Sequence, residues 1–141
     1  DYDLNNVPGE YFIQTHCTNP LLRTKTIDNA IESYFSKSSK DSLFGVTPFK
    51  SRIYDHNMMA INHNPKSRNL RTQDLKPIYK ENSCIYIFSR LVFKELYHRV
   101  GNDPILFNIN ENEAVDIDRM SDFILAESLM LMRQKKLENN D

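Results

Sequence analysis

The stretch AVDID, Ala114 to Asp118, sets two carboxylates two positions apart, Asp116 and Asp118, with Val115 and Ile117 interleaved. Read as a strand, its alternation points both acids to one face. At about 6 Å they repel by roughly 3 kcal/mol at an effective dielectric of 20, but by under about 1 kcal/mol in water. Such a pair is cheap on a wet face and costly in a cleft without a cation. Magnesium takes oxygen ligands and shares them with substrate phosphates. Spacing alone leaves two readings open: a solvated strand face, with Asp118 helping to cap the helix that follows, or a metal site.

A second pair, Gln14 and His16, falls at the carboxyl end of the strand-like run EYFIQTH. Ligands of open α/β sheets bind outside such strand ends. HCTNP then adds hydroxyl and amide groups at Thr18 and Asn19. The alternative is a strand–loop junction with His16 simply hydrogen-bonded. Between Lys50 and Lys80 stand seven basic residues (Lys50, Arg52, Lys66, Arg68, Arg71, Lys76 and Lys80) against Asp55 and Asp74. That segment carries +5 and leaves −6 for the rest of a chain of net charge −1. A basic arm on an acidic body suits an anionic ligand or an acidic partner surface; a solvated arm is the plain alternative. Arginine grips carboxylate and phosphate bidentately.

These residues need a frame. EYFIQTH reads as a buried strand closed by Pro20. Ile27, Ala30, Ile31, Tyr34 and Phe35 repeat at helical spacing within Thr24 to Lys37,. SLFGVTPF is a strand candidate, and SRIYDHNMMAINHN reads as a hairpin turning near His56-Asn57. PKSRNLRTQDLKPIYKEN reads as a loop and SCIYIFSR as a strand. Val92, Phe93, Leu96, Tyr97 and Val100 mark a helix stopped by Gly101. PILFNI and AVDID follow as strands. A last helix runs from about Arg119 to Leu137, with Ser121 as a candidate cap and Lys135 and Lys136 suiting its C-terminal end. Alternating strands and helices predict a layered α/β fold.

At 141 residues the chain reads as a single domain, 1–141, with a real core,. Its near-neutral charge argues against nucleic acid, as does the thin supply of aromatics among the basic residues. No apolar run approaches the roughly 20 residues of a membrane span. Two cysteines, Cys17 and Cys84, without a CxxC suit a reducing, cytoplasmic compartment,. The four histidines lack zinc-ligand spacing,.

Taken together, QTHCTNPLLRTKTIDNAI, RTQDLKPIYKENSCIYIF and EAVDID resemble the acylneuraminate cytidylyltransferases, from about Glu10 to Met130. The resemblance implies a nucleotide-diphospho-sugar transferase-like (Rossmann-like) layered sheet with a protruding β-hairpin dimerisation arm over 50–82. It implies transfer of CMP from CTP to the anomeric hydroxyl of a sialic acid or related 2-keto sugar acid, with release of pyrophosphate, Mg2+ as cofactor and a homodimer. Asp116 and Asp118 match the family's metal-binding aspartates. Thr18, Asn19 and Pro20 fall on its Thr-Ser-Pro stretch. The family's sugar-contacting Gln position holds His16 here, with Gln14 one strand repeat earlier on the same face. Arg71 matches a sugar-site arginine, Lys80 stands where many members carry a second one, and Lys50 matches a lysine at the root of the arm. Asn82 and Tyr86 match an Asn-Gly-x-x-Tyr pattern in which Ser83 replaces the Gly.

The family's front loop, Arg-x-Gly-Ser-Lys/Arg followed by Lys-Asn, which grips the triphosphate, has no match here. The resemblance therefore implies a partial cytidylyltransferase domain with impaired CTP binding, and little or no CMP-sugar synthesis by the 141-residue chain alone. The alternative is a non-catalytic dimerisation or regulatory module of the same fold.

Overall fold

A computed structural model describes residues 4, 6–67 and 71–138. Of the basic arm, Arg68 lies outside the described residues. Four strands form one mixed sheet: β1 (Tyr11–Thr15), β2 (Ser42–Phe49), β3 (Ile78–Ser89) and β4 (Pro104–Asn108), in the order β1-β3-β2-β4. β3 runs antiparallel to both β1 and β2, whereas β4 pairs parallel with β2. With them go the helices α1 (Thr24–Phe35), α2 (Arg90–Leu96) and, after β4, α3 (Met120–Glu138). The α/β architecture is the one expected. No helix among the described residues is long and apolar enough to cross a membrane.

The core follows from β3. Its Ile85 and Ile87, with Leu43, Ile105 and Ile109 from the rest of the sheet side, pack against Ala30 and Tyr34 of α1. Burying each such large aliphatic side chain contributes roughly 1.5–3 kcal/mol. The alternate β3 residues, Tyr86 and Phe88, are also buried and face the other way, opposite Gln14 and Phe12 of β1. Phe12 and Phe93 both lie 5.9 Å from the Phe88 ring, so α2 covers that second face. A strand buried on both faces reads as a continuous apolar run, and CIYIF does so.

Several elements differ from the sequence reading. β1 is an edge strand rather than a buried one: it pairs with β3 alone, and Tyr11 and Ile13 are about half exposed. β3 begins at Ile78, because Tyr79, Lys80 and Glu81 find ladder partners in Pro48, Thr47 and Val46. The expected hairpin over 51–64 is an irregular loop closed by one bridge, Tyr54 to Ala60. The Asp55 carboxylate makes its turn by accepting from the Asn57 and Met59 N–H groups. The arm is therefore an excursion of residues 50–77 between paired strands, and residues 78–82 belong to the sheet. α2 ends at Leu96, not near Gly101, since Tyr97 adopts a left-handed conformation (φ 50°) and closes it by donating its N–H to the Phe93 carbonyl. Leu96 and Tyr97 are consequently exposed. Gly101 serves elsewhere: a Cβ there would overlap the Asp41 carboxylate.

AVDID is not a strand. After β4 the chain turns at Asn110, whose side-chain oxygen accepts from the Asn112 N–H and whose carbonyl accepts from the Glu113 N–H. The turn lifts residues 114–118 off the ladder. The last helix begins at Met120, capped by Asp122, whose carboxylate accepts from the Asp118 and Arg119 N–H groups, rather than by Ser121 or Asp118.

The β2–β3 pairing is irregular between Phe44 and Val46, beside Gly45. A Cβ on Gly45 would stand 2.5 Å from the Asn82 side-chain oxygen and 2.8 Å from Ile109 Cδ1. Overpacking of that kind costs about 1–3 kcal/mol. Gly45→Ala is expected to lower the unfolding free energy by about that amount, seen as a lower urea midpoint with an unchanged slope; an unchanged midpoint would contradict the tight packing described here.

Candidate functional site

Two loops at the carboxyl ends of β1 and β4 are tied to each other. The Ile117 N–H donates to the Thr18 carbonyl at 2.9 Å, and the Asn19 side-chain amide donates to the Val115 carbonyl at 3.2 Å. Just upstream, Glu113 is buried and its carboxylate accepts from the Arg23 N–H (3.2 Å) and the Thr26 hydroxyl (2.6 Å), with the Arg23 guanidinium 3.4 Å away. Negative charge is favoured at a helix N-terminus, so Glu113 both anchors the start of α1 and holds the AVDID segment against the HCTNP loop.

Two acceptor oxygens within this clasp are buried without a partner among the described residues, Asn19 Oδ1 and Asp116 Oδ1. Buried acceptors of this kind each carry a desolvation cost of about 1–3 kcal/mol, more when charged. Carboxylate and amide oxygens are the donor types a hard divalent cation takes. The negative field is felt locally: burial first, then the charges of Asp116 and Glu113, push the Cys84 thiol up to about 11. The two aspartates are not equivalent. Asp116 is half-buried, whereas Asp118 is exposed beside the start of α3. Among the described residues no group of three or more His, Cys, Asp or Glu side chains is placed to hold a metal.

Asp116 lines a cleft of about 380 Å³ together with Lys50, Lys80, Asn82, Ser83 and Glu111. This is where four of the residues picked from the sequence meet. Lys50 donates to the Gln73 carbonyl, and neither it nor Lys80 forms an ion pair among the described residues. Asn82 is buried; its amide donates to Thr47 Oγ1 at 3.0 Å and its oxygen accepts from the Cys84 N–H at 3.2 Å. Ser83 holds φ 57°. A left-handed residue is where glycine costs nothing and another residue is strained, which gives the family's Asn-Gly pattern a physical reason and shows what serine replaces.

Tyr86 links this cleft to the β1 side. Its hydroxyl donates to the Glu81 carboxylate and lies 3.2 Å from Ser83 Oγ. Burial, followed by the Glu81 hydrogen bond, raises its pKa above the ordinary phenol value. The His16 ring lies 6.3 Å from the Tyr86 ring, and Gln14 Nε2 sits 3.3 Å from His16 Nε2, so these two side chains share a face as expected. Arg71 is not brought into either cleft. It is exposed and paired with Asp74 at 2.9 Å. Glu81, Glu111 and Glu113 escaped the sequence reading; Glu113 alone carried a signal, as an acid four residues before the alternating segment ends in Ile117.

The mixed sheet and its loop-borne cleft define a nucleotide-diphospho-sugar transferase-like α/β fold. The 4-diphosphocytidyl-2C-methyl-D-erythritol synthase of Anaerococcus prevotii superposes over 92% of this chain and 64% of its own, with a TM-score of 0.64 at 12% identity, a likeness of fold. Two curated relatives match the sequence. One is the Helicobacter pylori pseudaminic acid cytidylyltransferase and UDP-2,4-diacetamido-2,4,6-trideoxy-beta-L-altropyranose hydrolase, 26% identical over 83% of this chain and 23% of that protein. The other is the post-translational flagellin modification protein B of Campylobacter coli, 29% identical over 86% of this chain and 52% of that protein. These matches bear out, at low identity, the resemblance to the acylneuraminate cytidylyltransferases read from the motifs. The chain spans about half or less of the length of these relatives. No family model matches the sequence.

Removing the Glu113 carboxylate leaves the Arg23 N–H and Thr26 hydroxyl without their partner. Glu113→Ala is expected to destabilise the chain by about 1–3 kcal/mol, read by thermal or urea unfolding, and to raise amide exchange at residues 115–117 and 18–19. Unchanged exchange in those two loops would show that Glu113 does not hold them together.

Proposed function

We propose that this chain is the acceptor-sugar and metal-binding part of a cytidylyltransferase that moves CMP from CTP onto the anomeric hydroxyl of a sialic acid or related 2-keto sugar acid and releases pyrophosphate. The observation that carries this reading is the cleft where Lys50, Lys80 and Asn82 meet Asp116, one of whose oxygens is buried and unpartnered. Cations and a carboxylate that do not neutralise each other directly are arranged for a third charged party.

The residues divide the work. Lys50 and Lys80 supply positive potential to the sugar's carboxylate. Asn82 fixes the backbone at Ser83 and Cys84, and the buried Tyr86 supports Gln14 and His16, which form the acceptor platform. Thr18 and Asn19 hold the Asp116 segment in place. Asp116, with Asp118 at the segment's outer end, would hold Mg2+. Bound there, the ion would neutralise phosphate charge and ease deprotonation of the attacking hydroxyl. The arm, residues 50–77 with Arg71 near its end, is the element through which a homodimer would complete each site. A cytoplasmic location fits a substrate that is a nucleoside triphosphate.

Titration calorimetry with N-acetylneuraminic acid, with and without Mg2+, tests the proposal. Saturable binding is expected, weakened about tenfold by Lys80→Ala, in keeping with one charge-assisted contact. Asp116→Asn is expected to abolish any effect of Mg2+ while leaving the fold intact by circular dichroism. Absence of binding by the unaltered chain under both conditions would overturn the acceptor-site reading.

A further inference from the structure

Among the described residues three acids line the cleft of Lys50 and Lys80: Glu81, Glu111 and Asp116. Asp116 belongs to the clasp, and Glu111 is exposed in the turn after β4. Glu81 is brought there by an irregularity of the sheet. Phe44 of β2 pairs with Tyr86 and Val46 with Glu81, so two steps along β2 answer five along β3, with the left-handed Ser83 inside the bulge. The extra residues fold Glu81 back onto Tyr86, whose hydroxyl donates to its carboxylate. They also let two sequence neighbours, Lys80 and Glu81, line one cleft, where a regular strand would point them to opposite faces,.

Glu81 is held as well as placed. The Tyr86 ring is fully buried, and the Arg99 guanidinium lies over it, 3.6 Å from its centroid. Burial, and then the Glu81 hydrogen bond, raise the Tyr86 pKa, so the hydroxyl keeps its proton and remains a donor,. Glu81 itself is exposed, and among the described residues it forms no ion pair with Lys50 or Lys80. One carboxylate oxygen is therefore fixed by a rigid donor while the other is left to the cleft. The reacting carbon of a 2-keto sugar acid carries a carboxylate and a hydroxyl together. Lys80 and Glu81, side by side, offer a cation to the first and an acceptor to the second.

On the acceptor-site reading above, on which this rests, we propose that Glu81 is a catalytic residue that accepts the hydrogen bond of the anomeric hydroxyl. A carboxylate at that position is the general base to which the proton passes as the sugar oxygen bonds to the α-phosphorus of CTP and pyrophosphate leaves.

The test compares, by titration calorimetry, N-acetylneuraminic acid with its methyl glycoside of the same anomeric configuration, which keeps the carboxylate but has no anomeric proton. The unaltered chain is expected to prefer the free sugar by about ten- to a hundredfold, the range of one hydrogen bond to a charged group. Glu81→Gln should weaken the free sugar, leave the glycoside unchanged and so shrink the preference. Lys80→Ala should weaken both compounds alike and keep the preference, because both carry the carboxylate. If the unaltered chain binds the two equally, or if Glu81→Gln keeps the full preference or weakens both alike, Glu81 does not meet the hydroxyl and the acceptor reading survives. If the unaltered chain binds neither compound, both fall together.

Discussion

The site depends on one clasp: the Ile117 N–H on the Thr18 carbonyl, the Asn19 amide on the Val115 carbonyl, and Glu113 bound to the start of α1. Residues 114–118 have no ladder of their own, so these few bonds determine where Asp116 sits. They also determine its cost. Pulling the segment inward buries one oxygen each of Asp116 and Asn19 without a donor among the described residues. A fold that keeps such an arrangement stores a destabilisation that a bound cation would relieve. Mutating the tether and mutating the acid therefore probe different things, the first position and the second charge.

The positive side of the site is built by another route. Lys80 and Asn82 lie on β3, and Lys50 follows directly on β2, so their placement is inherited from the sheet. Ser83 marks where that strand departs from regular geometry, with its left-handed φ placed between the buried Asn82 and the core residue Cys84. A rigid strand carrying cations thus faces a tethered loop carrying an acid. Arg71, out on the arm, pairs locally with Asp74 instead.

Much of the frame was legible in the sequence. The apolar run CIYIF gave β3 because a strand buried on both faces has no polar positions, and the Ile27–Ala30–Tyr34 spacing gave α1 because one helical face meets the sheet. The AVDID segment misled because its alternation is real while its backbone pairs with a loop, and alternation does not report which partner a segment finds. Helix α2 ran short because a left-handed tyrosine can end a helix without glycine. Asp116 and the lysines of the cleft were recognisable by type and by family motif, whereas Glu81 and Glu111 were not. The stacking of Arg99 on the Tyr86 ring, thirteen positions earlier, was not, since no local spacing encodes such a contact.

The central claim is that Asp116 and the clasp around it accept a divalent cation. Adding Mn2+ to isotopically labelled chain and recording paramagnetic broadening of the amide signals tests it most directly. The account predicts saturable broadening centred on residues 114–118 and 18–19, reversed by excess Mg2+ and lost in Asp116→Asn. Broadening spread over surface acids, or unchanged by that substitution, would contradict it.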